Sequence, residues 1–155
     1  MADELIVRRV ITAPTASIFA ALANPQVHAA IDSSGMITEA LDPTPLVGVG
    51  DTFTMQMYQP ELGEYVTENT VFVYQVDVEI GWLPNREGSP LYGTRWLWRL
   101  EVVSEDSTGL TQIYDWSGVK DSAFRRCAGF PLVTEDQIVT TMNRLAEHLG
   151  VTVSD

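Results

Sequence analysis

The chain has 155 residues, 45% of them hydrophobic, which is typical of one globular domain with a full core. Its formal net charge of −12, dispersed along the chain, disfavours binding to nucleic-acid phosphates and to anionic membrane surfaces. Because Cys127 is the one cysteine, the chain can form neither an internal disulfide framework nor a cysteine zinc site. We recognise no signal peptide and no apolar run of membrane length, so we expect a single cytoplasmic domain over residues 1–155.

The first part of the chain combines strands with two short helices. The predicted elements are a strand at 5–12, helices at 15–23 and 26–31, and strands at 36–41 and 52–58. Apolar residues occur at both the odd and the even positions of the first strand, so the sequence does not show which of its faces points inward. The Asn24-Pro25 step separates the helices, since proline disrupts a helix interior.

The middle of the chain consists almost entirely of strands. Branched and aromatic residues between turn signals predict strands at 65–75, 76–83, 91–103 and 110–116, with a loop at 84–90. A short irregular helix is expected at 120–128. Consecutive strands joined by short turns indicate an antiparallel sheet.

A long amphipathic helix is predicted at 134–149. Thr134 and Gln137 have capping-box spacing, and Gly150 is a left-handed stop. The apolar stripe consists of Ile138, Met142, Leu145 and Leu149. This helix needs a sheet to cover, so the predicted fold class is α+β.

Three groups of short motifs are spread along the chain. They are residues 11–14 (Ile-Thr-Ala-Pro), residues 49–53 (Val-Gly-Asp-Thr-Phe), and a pair of segments at 96–103 and 109–117. They resemble, in turn, the opening, the second-strand entry and the Trp-rich hairpin of the START-like (SRPBCC) superfamily, in particular its polyketide cyclase/dehydrase-like group. The resemblance implies a helix-grip fold, in which about seven curved antiparallel strands surround the C-terminal helix and leave a deep cavity. We find no metal-ligand spacing and no cofactor fingerprint in the sequence, so we expect no cofactor and no metal.

Aromatic side chains are the first candidates for a ligand site. Tyr92, Trp96 and Trp98 share one strand parity, opposite to Arg95 and Arg99, so alternation turns the aromatics inward. They could line a cavity or simply pack the core. The further candidate ligand-binding residues are Tyr58, Tyr74, Trp82, Tyr114, Trp116 and Met142.

Polar candidates for catalysis are fewer. His28 and Asp32 stand at i and i+4 on a helix, where they could form an Asp-oriented histidine base or a simple surface pair. Asp115 could be a buried acid or a surface carboxylate. Arg125 or Arg126 could bind an anionic head group or be solvated.

The resemblance and the residues together predict binding of a small hydrophobic or aromatic molecule, polyketide- or lipid-like. One alternative is a polyketide cyclase or aromatase that uses general acid–base chemistry. Another is a protein-interaction module of the co-chaperone type. We expect a monomer or homodimer with a small hydrophobic ligand, no nucleic-acid partner and no membrane span.

Overall fold

The computed structural model describes residues 3–41, 43–60, 63–86, 93–119 and 131–155. Its strands are β1 (Glu4–Ile11), β2 (Ile37–Leu41), β3 (Thr52–Gln59), β4 (Gly63–Gln75), β5 (Glu79–Arg86), β6 (Arg95–Ser104), β7 (Ser107–Asp115) and β8 (Val153–Ser154). Its helices are α1 (Thr15–Leu22), α2 (Pro25–Ile31) and α3 (Glu135–Leu149). The fold class is α+β, as predicted.

The eight strands form one curved antiparallel sheet in the order β2-β3-β4-β5-β6-β7-β1-β8. One strand more is present than the roughly seven expected, because the chain after α3 returns to pair Val153 with Ile11. A two-residue strand has too little sequence to show the alternation from which strands are predicted.

The helix α3 begins and ends where its capping residues stand. The Thr134 hydroxyl accepts from the Gln137 N–H at 3.2 Å, and the Gln137 side chain accepts from the Thr134 N–H at 2.8 Å. Gly150 closes the helix with a φ of 72°, a conformation that glycine adopts without strain. Ile138, Met142 and Leu145 are buried, so the predicted apolar stripe faces the core.

The inward face of β1 is the odd-numbered one. Val7 and Ile11 are buried there, while Ile6 is exposed on the outer face. On β6, Trp98 and Leu100 are buried and Arg95 and Arg99 are exposed, as strand alternation predicts.

The prediction of a loop at 84–90 is wrong for residues 84–86, because β5 continues to Arg86. Among the described residues, this strand pairs past Trp82 with β4 alone, so Pro84 can occupy it without its missing N–H disrupting a second described ladder. The rest of that loop, Tyr92 and the helix predicted at 120–128 lie outside the described residues. In the described ranges, no helix is both long and apolar enough to cross a bilayer.

Candidate ligand-binding cavity

A cavity of about 370 Å³ lies between the inward face of the sheet, α2 and α3. Its walls are mostly apolar, and several of its side chains come from the middle strands of the sheet. The aromatic lining residues are Phe53, Tyr65, Trp82, Trp96, Trp98 and Tyr114. Of the predicted ligand-binding residues, Trp82, Trp96, Trp98 and Tyr114 therefore lie at the cavity.

Strand register places three of these aromatic residues side by side. Trp82 on β5 is the direct partner of Trp96 on β6, and Trp96 is the direct partner of Tyr114 on β7. The rings of Trp96 and Tyr114 stack with centroids 4.0 Å apart and planes 6° apart. The result is an aromatic surface made of side chains from three neighbouring strands.

Four other predicted ligand-binding residues stand elsewhere. Tyr58 is 45% exposed, and Tyr74 packs edge-on against Phe19 and donates its hydroxyl proton to the Leu46 carbonyl. Trp116 is buried beside Tyr114, and Met142 is fully buried in the core. In the described structure these four do not line the cavity. Tyr92 lies outside the described residues.

His28 lines the cavity from α2 and is buried. Its Nε2 lies 2.6 Å from the Leu22 carbonyl oxygen, so Nε2 carries the proton and donates it. The ring stacks on Trp82 at 4.6 Å and meets Phe53 edge-on at 5.2 Å. Burial lowers the pKa of His28 to about 4 despite the hydrogen bond to Leu22, so the imidazole is neutral at pH 7.

Asp32 also lines the cavity, but its carboxylate bonds to its own loop. It accepts from the Ser34 hydroxyl at 2.8 Å and from the Ile37 N–H at 3.3 Å. The helix ends at Ile31, and Asp32 is its C-cap, whose N–H still donates to the His28 carbonyl at 3.1 Å. The two residues therefore keep the i, i+4 relation, but the Asp32 carboxylate has its partners in the loop that follows and not in the imidazole. In the described part of the chain, His28 bonds to Leu22 and not to Asp32.

The end of α2 is held against α3 by side-chain hydrogen bonds. The Ser33 hydroxyl donates to the Gln137 carbonyl and lies 3.0 Å from the Thr141 hydroxyl. Arg144 donates to the Asp32 carbonyl. These contacts position the helix that carries His28 over the cavity.

Sequence reasoning missed a group of buried polar side chains in the cavity wall: Thr67, Asn69, Thr94 and Gln112. Thr67 and Asn69 share the inward parity of β4 with Val71, and Gln112 shares that of β7 with Leu110 and Tyr114. The sequence signal that could have revealed them is a polar residue at a strand position where the other residues of the same face are apolar.

Asp115 faces the opposite side of β7 from Tyr114 and forms an ion pair with Arg95 at 2.7 Å. Burial alone would raise the pKa of Asp115, but hydrogen bonds from Arg95 and Ser117 outweigh that effect, so its pKa lies below the usual value. Asp115 is therefore an ionised residue of the outer face and lies away from the cavity.

Comparisons with known proteins support the fold class. No family model matches the chain. Rv0088 of Mycobacterium tuberculosis is 26% identical over 143 residues, which cover 88% of this chain. The match spans 60% of the length of that relative.

Solved structures of similar shape are more distant in sequence. Ms6760 from Mycobacterium smegmatis superposes with a TM-score of 0.67 at 13% identity, covering 96% of this chain and 92% of that one. DynU16, from the dynemicin biosynthetic locus, gives 0.62 at 15% identity, covering 97% of this chain and 48% of that one. PFC0360w, an HSP90 activator from Plasmodium falciparum, gives 0.59 at 10% identity, covering 99% of this chain and all of that one. These likenesses show a fold consistent with the START-like class that the sequence motifs indicate.

Proposed function

We propose that this protein binds a small, flat, hydrophobic molecule in the cavity between the sheet and α3. The observation that carries the proposal is the aromatic surface formed by Trp82, Trp96 and Tyr114, which runs across three strands along the cavity wall. Small-molecule sites are concave, largely apolar and about 300–1,000 Å³ in volume, a range that includes this cavity. Offset or stacked contact with a flat ring favours aromatic ligands over irregular aliphatic ones.

A neutral fluorescent probe tests this proposal. 1-N-phenylnaphthylamine emits weakly in water and strongly in an apolar site, so we expect saturable enhancement of its emission by the protein. Trp96→Ala removes part of the aromatic surface and is expected to weaken probe affinity about tenfold, near the lower limit for a residue important to binding. Tyr58→Ala, an aromatic truncation at an exposed position, is the matched control and should leave the affinity unchanged. No enhancement, or equal effects of the two substitutions, would contradict the proposal.

Catalysis by His28 is the second candidate, because its neutral imidazole lines the cavity. In this alternative the protein is a polyketide cyclase or aromatase, and His28 removes a proton from the ligand through Nδ1. A pKa of about 4 makes His28 a weak base at neutral pH, since general bases work best with a pKa near the working pH. The carboxylate of Asp32 would have to leave Ser34 to assist. These two facts favour binding over catalysis.

The co-chaperone alternative draws on exposed apolar side chains at one end of the sheet. Val76 and Val78 flank the turn between β4 and β5, and Val102 and Val103 lie near the end of β6. The Leu100 N–H donates to the Val78 carbonyl, which brings these two segments together. Under this alternative the valines contact a protein partner, and Val102→Asp would abolish complex formation without altering probe binding in the cavity.

A further inference from the structure

The cavity wall holds an amide, that of Gln112, which has no hydrogen bond to any group in the described part of the chain. Gln112 on β7 is the direct register partner of Trp98 on one side and of Val7 on the other. Its side chain is 5% exposed and lines the cavity. Within the described ranges, no side chain or backbone group hydrogen-bonds to this amide.

The row of the sheet that holds Gln112 is otherwise apolar. Trp98, Val7 and Ile80 occupy the same cross-strand row and are buried and apolar. A leucine or methionine would fill the space without leaving a donor and an acceptor unpaired. The packing of the sheet therefore does not explain why position 112 carries a hydrogen-bonding side chain.

The other polar groups in the wall are almost all uncharged. Asn69 donates to the Phe53 carbonyl, and Thr67 is its neighbour on β4. Among the described lining residues there is no lysine and no arginine, and Asp32 is the one carboxylate. Arg125 and Arg126 lie outside the described residues.

We propose, building on the function proposed above, that the ligand is an uncharged aromatic molecule with a hydroxyl or carbonyl group that hydrogen-bonds to Gln112. An amide offers both a donor and an acceptor, so either oxygen group satisfies it. An anionic ligand is discriminated against, because its carboxylate would lose hydration, meet no cation in the described wall and approach Asp32. The cavity therefore selects by charge as well as by shape.

Three ligands of the same ring system test this proposal: naphthalene, 2-naphthol and 2-naphthoate. Their affinities are measured by equilibrium dialysis at pH 7, where 2-naphthol is neutral and 2-naphthoate is an anion. We expect the ratio of 2-naphthol to naphthalene affinity to fall about 3- to 10-fold in Gln112→Leu, which is the size of one net hydrogen bond. Naphthalene itself should bind Gln112→Leu at least as well as the native chain.

Thr111→Val is the matched control, because Thr111 neighbours Gln112 on β7 but points to the outer face between Arg8 and Arg99. Its affinity ratio should equal that of the native protein. If Gln112→Leu folds poorly, the same affinity ratio is measured in Gln112→Met. The comparison of the three ligands on the native protein needs no variant.

The outcomes separate this proposal from the function on which it rests. If naphthalene binds and the ratio is unchanged in both Gln112 variants, the assignment of Gln112 is overturned while aromatic binding stands. If 2-naphthoate binds the native protein more tightly than 2-naphthol does, selection against anions is overturned. If none of the three ligands binds, the proposed function itself fails.

Discussion

The indole of Trp96 and the phenol ring of Tyr114 stack almost in parallel, with centroids 4.0 Å apart. Each is the other's direct partner across the β6–β7 ladder, so the stack belongs both to the sheet and to the cavity wall. Cross-strand aromatic pairs stabilise a sheet beyond the area that they bury. The same pair therefore supports the fold and forms part of the cavity wall.

Tyr114→Ala is expected to lower the free energy of unfolding by about 3–5 kcal/mol, the range for truncating a buried aromatic residue. Tyr114→Phe keeps the stack and removes only the hydroxyl, so its loss should be smaller, about 0.5–1.5 kcal/mol at most. Urea denaturation measures both. Equal losses in the two variants would show that the hydroxyl, and not the ring stack, stabilises this region.

His28 is expected to make stability depend on pH between about 4 and 6.5. Its pKa is lowered to about 4 in the folded protein, so in this window the unfolded chain binds the proton and the folded chain does not. The free energy of unfolding should therefore fall by about 3 kcal/mol as the pH drops from 6.5 to 4, at 1.36 kcal/mol per pKa unit. Below pH 4, His28 should cause no further change.

Urea midpoints measured across that pH range provide the test. His28→Gln should remove the slope, whatever its effect on stability at pH 7. His148→Gln, at an exposed position on the last turn of α3, should retain it. The lowered pKa of Asp115 acts at lower pH, because its contribution is lost only as pH falls below the ordinary carboxylate range. A slope that survives in His28→Gln would refute the buried neutral histidine.

Leu145→Ala should destabilise the protein by roughly 2–5 kcal/mol, because Leu145 is fully buried where α3 packs on the sheet. Glu147→Ala, at an exposed position on the same helix, should change the free energy of unfolding by no more than about 0.5 kcal/mol. Thermal or urea unfolding distinguishes the two. An unchanged midpoint for Leu145→Ala would contradict the packing of α3 described here.

Structural features that depend on residues close together in the sequence could be predicted. Thr134 and Gln137 form the predicted capping box because its two hydrogen bonds lie within four residues. The inward parity of Trp96 and Trp98 could be predicted because Arg95 and Arg99 occupy the opposite face. The curved antiparallel sheet with a C-terminal helix was implied by motifs spread along the chain, whereas the order of the strands was not predicted.

The partner that a polar side chain binds could not be predicted. His28 and Asp32 have helical spacing and the helix ends at Ile31 as predicted, yet Asp32 bonds to Ser34 and His28 bonds to Leu22. Short polar side chains compete with the helix for backbone and side-chain partners, and the sequence does not show which interaction prevails. Met142 has the spacing of the apolar stripe, which shows burial but not whether the side chain reaches the cavity or the core.

Methyl NMR of the methionines tests the central claim most directly. Met36, Met55 and Met57 line the cavity, whereas Met142 is buried in the core away from its wall. In protein labelled with ¹³C at the methionine methyl groups, titration with 2-naphthol should shift the first three signals along one saturable curve and leave the Met142 signal nearly unmoved. Unchanged signals for Met36, Met55 and Met57 at ligand saturation, or a shift confined to Met142, would contradict binding in this cavity.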